Sequence, residues 1–522
     1  MTQTAEALPQ LPAGAEEKLR ALLGDDRLVV DRPTVDEYKD PYWIPGDETY
    51  AASAVVLPSS TEEVQEIIRI AGEFDLPVWP HSQGRNFGYG GASPVKRGSL
   101  QISFHRMNRV LEIDEELGFA VVEPGVRWFD LYDALEAAGS NWAVSVPDLG
   151  WGSIIGNSMD SGITYMPTGA EYQAICGLEV VLADGSLLRT NQGAHPKSNV
   201  GHVYRRSLGP SLDWLFVQSN FGIVVRAGVW LNRKQEAYAP VVLTIMEDED
   251  LEQAVDTLRE LRQRNLLDGA QSFYPTLRAA VMIEDAEVVS PKRQLTGAEV
   301  REIGVKHNVG AWSMRAAVWG DRDEVELSLK KIEQAWSKIP SGRFRQRGLF
   351  SPDEYGEIEY AADRIQAGIP NLTAIENTPD HVAHIGFSPV VALTGSEVRK
   401  LVDEMRSRIL AQGINFSGGL LVTGDRSAVM VAGMQYDVTN TEQVRATFDF
   451  ARRFVVELGE LGYGEYRAHM YFMDLAQAQY SFGDHAYRRF VEKIKDAVDP
   501  EGILSPGRHG IWPSKYADER KV

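Results

Sequence analysis

The sequence contains little of what marks several common protein classes. Its 522 residues include one cysteine, Cys176, which excludes an intrachain disulfide and any multi-cysteine metal or haem site. It has no apolar run long enough to cross a bilayer, and Met1–Glu6 lack the basic and apolar regions of a signal peptide. These absences predict a soluble, cytoplasmic protein.

Positive charge is also scarce. The 53 lysine and arginine residues are outnumbered by 74 aspartate and glutamate residues, which gives a formal net charge of −21. Because no long basic run is present, nucleic acids and anionic membranes are poor candidates as partners. The charge balance favours a small neutral or weakly acidic ligand.

Several catalytic motifs are missing. Neither G-x-G-x-x-G nor G-x-x-x-x-G-K-[ST] occurs, which argues against nicotinamide-dinucleotide and Walker-type loops. The hydrolase motifs G-x-S-x-G and H-E-x-x-H are also absent, and the ten histidines form no metal-ligand cluster. No metal site is expected.

A glycine-rich stretch, residues 80–91, is the most distinctive feature that is present. It follows a predicted strand at Ala54–Leu57, a helix that begins at the capping pair Ser60 and Glu63, and an extended run at Pro77–Trp79. Glycine can adopt positive φ and bring bare N–H groups against a ligand, most often a phosphate. The stretch therefore predicts a phosphate-binding loop at a strand end, although an ordinary surface turn is the alternative.

A second glycine-rich connection, residues 147–157, follows a predicted helix from Trp128 to Gly139. Beyond it we predict a hairpin through Ala183–Ser186 and a buried strand at Ile223–Val225. Two glycine-rich loops in one domain suggest that the ligand is extended.

The predicted order of secondary-structure elements changes near residue 236, where units of one strand followed by one helix begin. Three units are predicted, with strands at Val241–Met246, Ala316–Trp319 and Ile385–Leu393 and helices at Leu251–Leu266, Val325–Ile339 and from Thr394 and Glu397 to Gln412. An antiparallel sheet with helices on one face is the economical model for this region. A helix around Arg488–Val498 follows, and we expect the C-terminal tail to return to the first domain.

Five separated motifs together resemble the vanillyl-alcohol oxidase family of flavoproteins, within it the group that oxidises 4-substituted phenols. The motifs are residues 55–91, 147–157, 381–389, 462–467 and 506–512. The resemblance covers nearly the whole chain. It implies an α+β fold with an FAD-binding domain formed by residues 1–235 and 462–522, and an inserted antiparallel-sheet cap domain formed by residues 236–461.

The resemblance also implies which residues hold the cofactor. His384 matches the histidine that bonds covalently to the flavin 8α-methyl carbon, a position taken by tyrosine in cytochrome-coupled relatives. Without the resemblance, the sequence would predict only that His384 is a buried histidine on a strand. The other implied FAD contacts are Ser82, Gly84, Arg85, Asn86, Gly88, Pro147, Ser153, Gly156, Asn157, Gly162, Ile223 and Arg508.

Three residues match the group that binds the phenolic oxygen of the substrate, namely Tyr89, Tyr466 and Arg467. Two hydroxyl donors and a guanidinium lower the pKa of a bound phenol because they stabilise its anion. The phenolate then releases hydride from the side-chain carbon at its para position to flavin N5 and becomes a p-quinone methide. The alternatives are that Tyr89 only packs in its loop and that Tyr466 and Arg467 form a solvated strand end.

The resemblance assigns four more residues to the site. Asp148 matches an acidic residue near the reactive edge of the flavin, where it would move a proton or favour charge on the substrate; its alternative role is that of a turn residue. Tyr165, Gly386 and Gly418 match substrate-pocket positions. Glycines at 418 and 419 predict extra room, and hence tolerance of longer para-alkyl chains or ortho-methoxy groups.

The expected activity is FAD-dependent oxidation of 4-alkylphenols, 4-hydroxybenzylic alcohols and 4-allyl or propyl guaiacols, with O2 reoxidising the flavin to give H2O2. The alternatives are a cytochrome-linked 4-alkylphenol dehydrogenase, an oxidase of sugars or hydroxy acids with the same fold, and a non-catalytic flavoprotein. A homodimer or a higher homo-oligomer is expected.

Overall fold

The structure is a computed structural model that describes residues 7–169, 174–283 and 293–521. Met1–Glu6, on which the signal-peptide argument rests, lie outside the described residues. None of the helices in these ranges has the length and apolar character needed to cross a bilayer.

The N-terminal part of the chain builds two main sheets. A four-stranded sheet has the spatial order Leu28–Val29, Ala54–Val56, Leu100–Ser103, Val78–His81, and its last two pairings are parallel. A five-stranded antiparallel sheet has the order Val110–Asp114, Phe119–Val122, Ile223–Trp230, Ile175–Val181, Leu187–Arg189. The short strands Trp142–Ala143 and Asn232–Arg233 also pair. The α-helices of this part are Ala13–Leu23, Arg32–Asp36, Thr61–Glu73, Trp128–Ala137, Ile154–Met159 and Asp213–Phe216.

The helix that leads to the first glycine loop begins as predicted, at Ser60. The Ser60 hydroxyl accepts the Glu63 N–H, but the Glu63 carboxylate accepts the Ser59 N–H at 2.7 Å instead of reaching back to Ser60. Glu63 also pairs with Arg27. The capping box is therefore half formed, because an arginine from another segment holds the carboxylate. The helix buries Val64 and the other apolar residues on its predicted face.

An eight-stranded antiparallel sheet forms the middle of the chain. Its order is Gly342–Gln346, Ala237–Ile245, Trp312–Gly320, Gln271–Pro275, Gly419–Val422, Ser427–Asp437, Val382–Phe387, and Val390–Ala392 also pairs with Ser427–Asp437. The α-helices of this part are Leu251–Gln263, Thr276–Val281, Gly297–Lys306, Arg322–Trp336, Ala361–Gln366, Thr373–Glu376, Gly395–Leu410 and Thr441–Glu460. The three predicted strand-plus-helix units are all present, whereas the helix Thr441–Glu460 was not predicted.

The predicted extent of one strand of this sheet is wrong. Ile385–Leu393 is interrupted at Ser388 and Pro389, so that two short strands replace one. Proline has no N–H to give to a strand ladder. The Ser388 N–H is used elsewhere, because it donates to the side chain of Glu465.

The two faces of this sheet have different roles because side chains alternate along a strand. On Ala237–Ile245, residues Val241 and Leu243 join the helices in a large apolar core. The opposite face carries a row of cross-strand neighbours, Arg315, Ser272 and Leu421. Leu421 lines a large cavity between this sheet and the N-terminal loops. The sheet therefore forms one wall of that cavity.

The C-terminal segment returns to the first sheet, as predicted. Its helices are Met473–Ala478 and Phe482–Val498, the second interrupted by non-helical φ/ψ values at residues 483–485. The Val78 N–H donates to the Ile503 carbonyl at 2.8 Å, and the Ser505 N–H donates to the Val78 carbonyl at 2.9 Å. The segment thus pairs with the strand that delivers the first glycine loop.

A buried ion pair fixes this return. The Lys495 ammonium lies 2.6 Å from Asp499 and also donates to the carbonyls of Asn220 and Leu504. Burial lowers the pKa of Lys495 to about 8, against the opposing effect of Asp499. Asp499 in turn accepts the backbone N–H groups of Ile503 and Leu504.

We expect Lys495→Met to lower the free energy of unfolding by about 3 to 5 kcal/mol, because it leaves a buried carboxylate without its cation. Urea unfolding of the purified protein measures the change. Lys493→Met, on an exposed position of the same helix, is the control and should change stability by less than about 0.5 kcal/mol. Equal effects of the two substitutions would contradict this account of the ion pair.

Candidate active site

Both glycine-rich loops, the eight-stranded sheet and the C-terminal segment line one elongated cavity. The sequence-predicted residues that line it are Ser82, Gly84, Arg85, Asn86, Tyr89, Pro147, Asp148, Ser153, Gly156, Asn157, Tyr165, His384, Tyr466, Arg467 and Arg508. Residues from distant parts of the sequence therefore meet at one site.

Three predicted glycines lie behind the lining rather than in it. A Cβ atom on Gly88 would lie 2.6 Å from Nε2 of His384, and one on Gly386 would lie 2.7 Å from Cζ of Tyr89. A Cβ on Gly162 would lie 2.0 Å from Oδ1 of Asn157. These glycines leave room for lining side chains to reach their positions.

Two other predicted residues do not face the cavity. The side chain of Ile223 belongs to the buried core that includes Ile67 of the helix Thr61–Glu73. A Cβ on Gly418 would lie 3.0 Å from the ring of Phe416, and one on Gly419 would lie 2.3 Å from the ring of Tyr274. The extra room expected at these glycines is filled by aromatic rings, so they do not enlarge the substrate pocket.

The first glycine loop has the backbone that its sequence predicts. Gly84, Gly88, Gly90 and Gly91 all have positive φ, between 56° and 111°. A Cβ on Gly156 of the second loop would lie 2.2 Å from the Ser82 hydroxyl, so the two loops are in contact only because glycine is present there. The loops form a single cradle.

Buried polar atoms in this cavity lack partners within the described residues. They are both ring nitrogens of His81, the amide nitrogen of Asn157, the indole nitrogen of Trp151 and Nε of Arg467. Unpaired buried polar groups are costly, and a polar ligand would satisfy them. The cavity is therefore built for a ligand with many hydrogen-bonding groups.

The predicted phenol-binding residues lie close together in this cavity. The Arg467 guanidinium lies 4.4 Å over the centroid of the Tyr89 ring and hydrogen-bonds to Tyr466 and to the side-chain oxygen of Asn86. The Tyr89 hydroxyl lies 2.7 Å from the hydroxyl of Ser388. Burial would lower the pKa of Arg467, but Asp160 and the two tyrosines raise it, so the guanidinium stays charged.

Asp160, which the sequence analysis did not single out, lies between two of the predicted cations. Its Oδ1 lies 2.7 Å from Arg508 and its Oδ2 lies 3.9 Å from Arg467. Burial would raise the pKa of Asp160, but Arg508, His509 and Arg467 hold it far below its ordinary value. An aspartate just after a short helix carries no motif, so only its neighbours in space reveal its role.

Asp148 lies in a second charged pair that the sequence analysis did not foresee. Its Oδ1 accepts from Arg315 at 2.9 Å, its Oδ2 accepts from the Tyr165 hydroxyl at 2.7 Å, and the Arg315 guanidinium lies 4.0 Å over the Tyr165 ring. Burial would raise the pKa of Asp148, but Arg315 and Tyr165 bring it below its ordinary value. Asp148 is therefore an anion, and not only a turn residue.

His384 lies on the strand Val382–Phe387 with its ring facing the cavity. Burial, followed by the nearby positive charge of Arg278, lowers the pKa of His384 to about 4. Its imidazole is neutral at physiological pH. A neutral imidazole nitrogen has a free lone pair and can act as a nucleophile.

Comparison with known proteins identifies the family. A family model described as an FAD binding domain matches residues 52–191, which include both glycine loops. The flavoprotein subunit of 4-cresol dehydrogenase [hydroxylating] from Pseudomonas putida is 32% identical over 508 residues, which cover 95% of each chain. The chain belongs to the vanillyl-alcohol oxidase/p-cresol methylhydroxylase family.

Solved structures confirm the α+β fold of this family. A 4-ethylphenol oxidase from Gulosibacter chungangensis superimposes with a TM-score of 0.92 and 33% identity, over 98% of this chain and 100% of that chain. A p-cresol methylhydroxylase superimposes with a TM-score of 0.90 and 30% identity, over 97% and 99% of the two chains. The chain therefore has the fold of this family, and both glycine loops lie within its FAD binding domain.

We expect Arg315→Met to raise the pKa of Asp148 and to lower the free energy of unfolding by about 1 to 3 kcal/mol, because the half-buried carboxylate then loses its cation and one hydrogen-bond donor. Thermal unfolding of the purified protein, followed by far-ultraviolet circular dichroism, measures the loss. Arg343→Met, on an exposed position of the edge strand Gly342–Gln346 of the same sheet, is the matched control. An unchanged unfolding midpoint in Arg315→Met would rule out this ion pair.

Proposed function

We propose that this protein is an FAD-dependent oxidase of para-substituted phenols. The observation that carries the proposal is the convergence of Tyr89, Tyr466 and Arg467 in the cavity that both glycine-rich loops line. Two relatives that span nearly the whole chain are named for 4-ethylphenol and p-cresol. Para-alkylphenols are therefore the first substrates to test.

The cradle fits FAD on its own chemistry. Residues 82–91 present backbone N–H groups at positive-φ glycines, which suits a pyrophosphate. Arg85, Asn86 and Asn157 add polar side chains, and the buried nitrogens of His81 and Asn157 have no other partner among the described residues. Arg508, held by Asp160, supplies a fixed positive charge. When bound, FAD would supply the acceptor for one hydride, that is, for two electrons and a proton.

The phenol end acts by stabilising charge. Arg467 cannot lose its proton at any physiological pH, and Tyr89 and Tyr466 each offer a hydroxyl donor. A phenol oxygen placed among them ionises more readily than in water, because its anion gains three partners. The negative charge is delocalised to the para position of the ring, so the side-chain carbon bonded there can lose hydride to the flavin acceptor and the substrate becomes a p-quinone methide.

Asp148 is proposed to accept the proton that is released when water adds to the quinone methide. Because Arg315 keeps it ionised, Asp148 is ready to accept a proton from water that attacks the quinone methide. Its contact with the Tyr165 hydroxyl fixes the orientation of both side chains. Tyr165, over which Arg315 lies, forms an aromatic wall for the substrate ring.

O2 is the proposed electron acceptor, which makes H2O2 the second product. The support is His384, since a histidine at this position resembles the oxidases of the family and a tyrosine resembles the cytochrome-coupled members. The second candidate is a dehydrogenase with a protein acceptor, which the similarity to the 4-cresol dehydrogenase subunit favours. The two candidates differ in whether air alone supports turnover.

We expect the purified holoenzyme to oxidise 4-ethylphenol in air with one H2O2 formed per substrate consumed. A peroxide assay and an oxygen electrode measure the two quantities. Bleaching of the flavin by 4-ethylphenol under nitrogen, without rapid recovery in air, would establish the dehydrogenase instead. A flavin that no para-alkylphenol bleaches would remove the proposed function.

Arg467→Met should lower kcat/KM by about 10²- to 10³-fold, the usual cost of losing one donor to a developing oxyanion. Arg426→Met, at an exposed position with 85% of its side chain accessible, is the control and should leave kcat/KM unchanged. A loss below threefold in Arg467→Met would show that this guanidinium does not bind the phenolate.

We expect His384→Ala to release the flavin from acid-precipitated protein, because it removes the only side chain proposed to bond to the 8α-methyl carbon. The flavin absorbance of pellet and supernatant after precipitation measures the partition. Wild-type protein should keep the yellow colour in the pellet, and His381→Ala, three residues earlier, is the control. Colour in the wild-type supernatant would contradict covalent attachment while leaving FAD binding intact.

A further inference from the structure

A buried carboxyl group lies directly beside the phenol-binding residues. Glu465, which precedes Tyr466 and Arg467 in the chain, is 6% exposed. Its Oε2 accepts the backbone N–H of Ser388 at 2.5 Å. Its Oε1 is buried and has no hydrogen-bond partner among the described residues. Buried carboxylates are normally paired with a cation, and this one has no ion pair within the described part of the chain.

Ser388 links Glu465 to the tyrosines that face the substrate. The Ser388 hydroxyl lies 2.7 Å from the Tyr89 hydroxyl, and the Ser388 carbonyl accepts the N–H of Tyr466 at 3.2 Å. Ser388 itself is fully buried at the break between two strands. One serine therefore holds both tyrosines, and the side chain of Glu465 holds that serine.

Glu465 also lines a second cavity, which shares Tyr466 and His509 with the first. No cation of this cavity neutralises it. The Tyr480 hydroxyl donates to its backbone carbonyl, Glu492 pairs with Arg520, and His509 lies beside Asp160. The titratable and charged groups that face Glu465 from the surrounding segments are Tyr89, Tyr466, Arg467, Tyr480, Tyr487, Arg488, Glu492 and His509.

We propose that Glu465 is a positioning residue for the phenolate site and that it works in its neutral form. A neutral carboxyl still accepts the Ser388 N–H and so keeps the Ser388 hydroxyl against Tyr89. An ionised carboxylate would place a second negative charge behind the three residues that must hold a phenolate. This inference rests on the proposed function, since it concerns the same anion.

The pH range follows from the burial of the group. Burial raises the pKa of Glu465 to about 8, and the Ser388 N–H lowers it only in part. Below this pKa the carboxyl is neutral and the site keeps its full attraction for an anion. As the pH rises through about 8, the carboxylate forms and the attraction falls.

The experiment measures binding of 4-nitrophenolate to the oxidised holoenzyme. This anion absorbs visible light, and its para substituent contains no carbon that could lose hydride. It therefore reports binding without turnover. From about pH 7 to about pH 9.5, we expect its affinity for the wild-type protein, corrected for the ionised fraction in solution, to fall by about tenfold, as expected for one added charge in a partly buried site. In Glu465→Gln the affinity should stay constant, because glutamine accepts the same N–H and cannot ionise.

Two further variants control the result. Glu465→Asp keeps an ionisable group and should keep the pH dependence. Asp484→Asn removes a carboxylate that is 94% exposed and should behave as wild type. Should Glu465→Gln fail to fold, the infrared carbonyl band of a protonated carboxyl decides the protonation state: in the wild-type holoenzyme it should be present near pH 7 and lost as the pH passes about 8, and in Glu465→Asp it should be present near pH 7 at a shifted frequency.

The possible results of the binding experiment distinguish a failure of this inference from a failure of the proposed function. Tight binding of 4-nitrophenolate with the same pH dependence in wild type and Glu465→Gln would overturn the role of Glu465 and leave the phenolate site intact. Failure of all variants to bind 4-nitrophenolate at any pH would overturn both. Loss of affinity in Glu465→Gln at every pH would show that a neutral hydrogen-bond acceptor at this position is not sufficient for binding, which contradicts the inference.

Discussion

The site depends on keeping guanidinium groups charged inside a cavity. A buried cation is costly unless a carboxylate pairs with it, and each pair here uses residues from separate segments. Asp160 lies between Arg467 and Arg508, and Asp148 holds Arg315. Because these anions fix the cations in place, positively charged side chains line the cavity in defined positions before any ligand binds.

The eight-stranded sheet brings charged residues to the cavity because only one of its faces packs against helices, while the other faces the cavity. One face packs against helices and supplies the apolar core that includes Val241 and Leu243. The other face brings Arg315 and Leu421 to the cavity that the glycine loops line. The cavity therefore lies between the eight-stranded sheet and the N-terminal loops, and the predicted division at residues 235 and 461 stays a prediction. Neither part contains the whole site.

Much of the cradle could be predicted because it depends on local sequence. Glycines 84, 88, 90 and 91 adopt the positive φ that only glycine favours, and the strand and helix before them follow from apolar spacing. Predictions failed where distant contacts decide. Glu63 is held by Arg27 instead of closing its capping box, and a predicted strand breaks at Ser388 and Pro389 because Ser388 bonds to Glu465. At Gly418 the predicted space is filled by Phe416.

The sequence by itself determined the family and predicted the glycine-loop cradle and the trio of Tyr89, Tyr466 and Arg467, because their members lie in short motifs that can be recognised from local sequence. Only the tertiary structure revealed Arg315, Asp160 and Glu465. Each of them is an ordinary charged residue in its local sequence, and its role comes from a partner or a lack of one in space. Electrostatic energy depends on distance and burial, which a linear sequence does not contain.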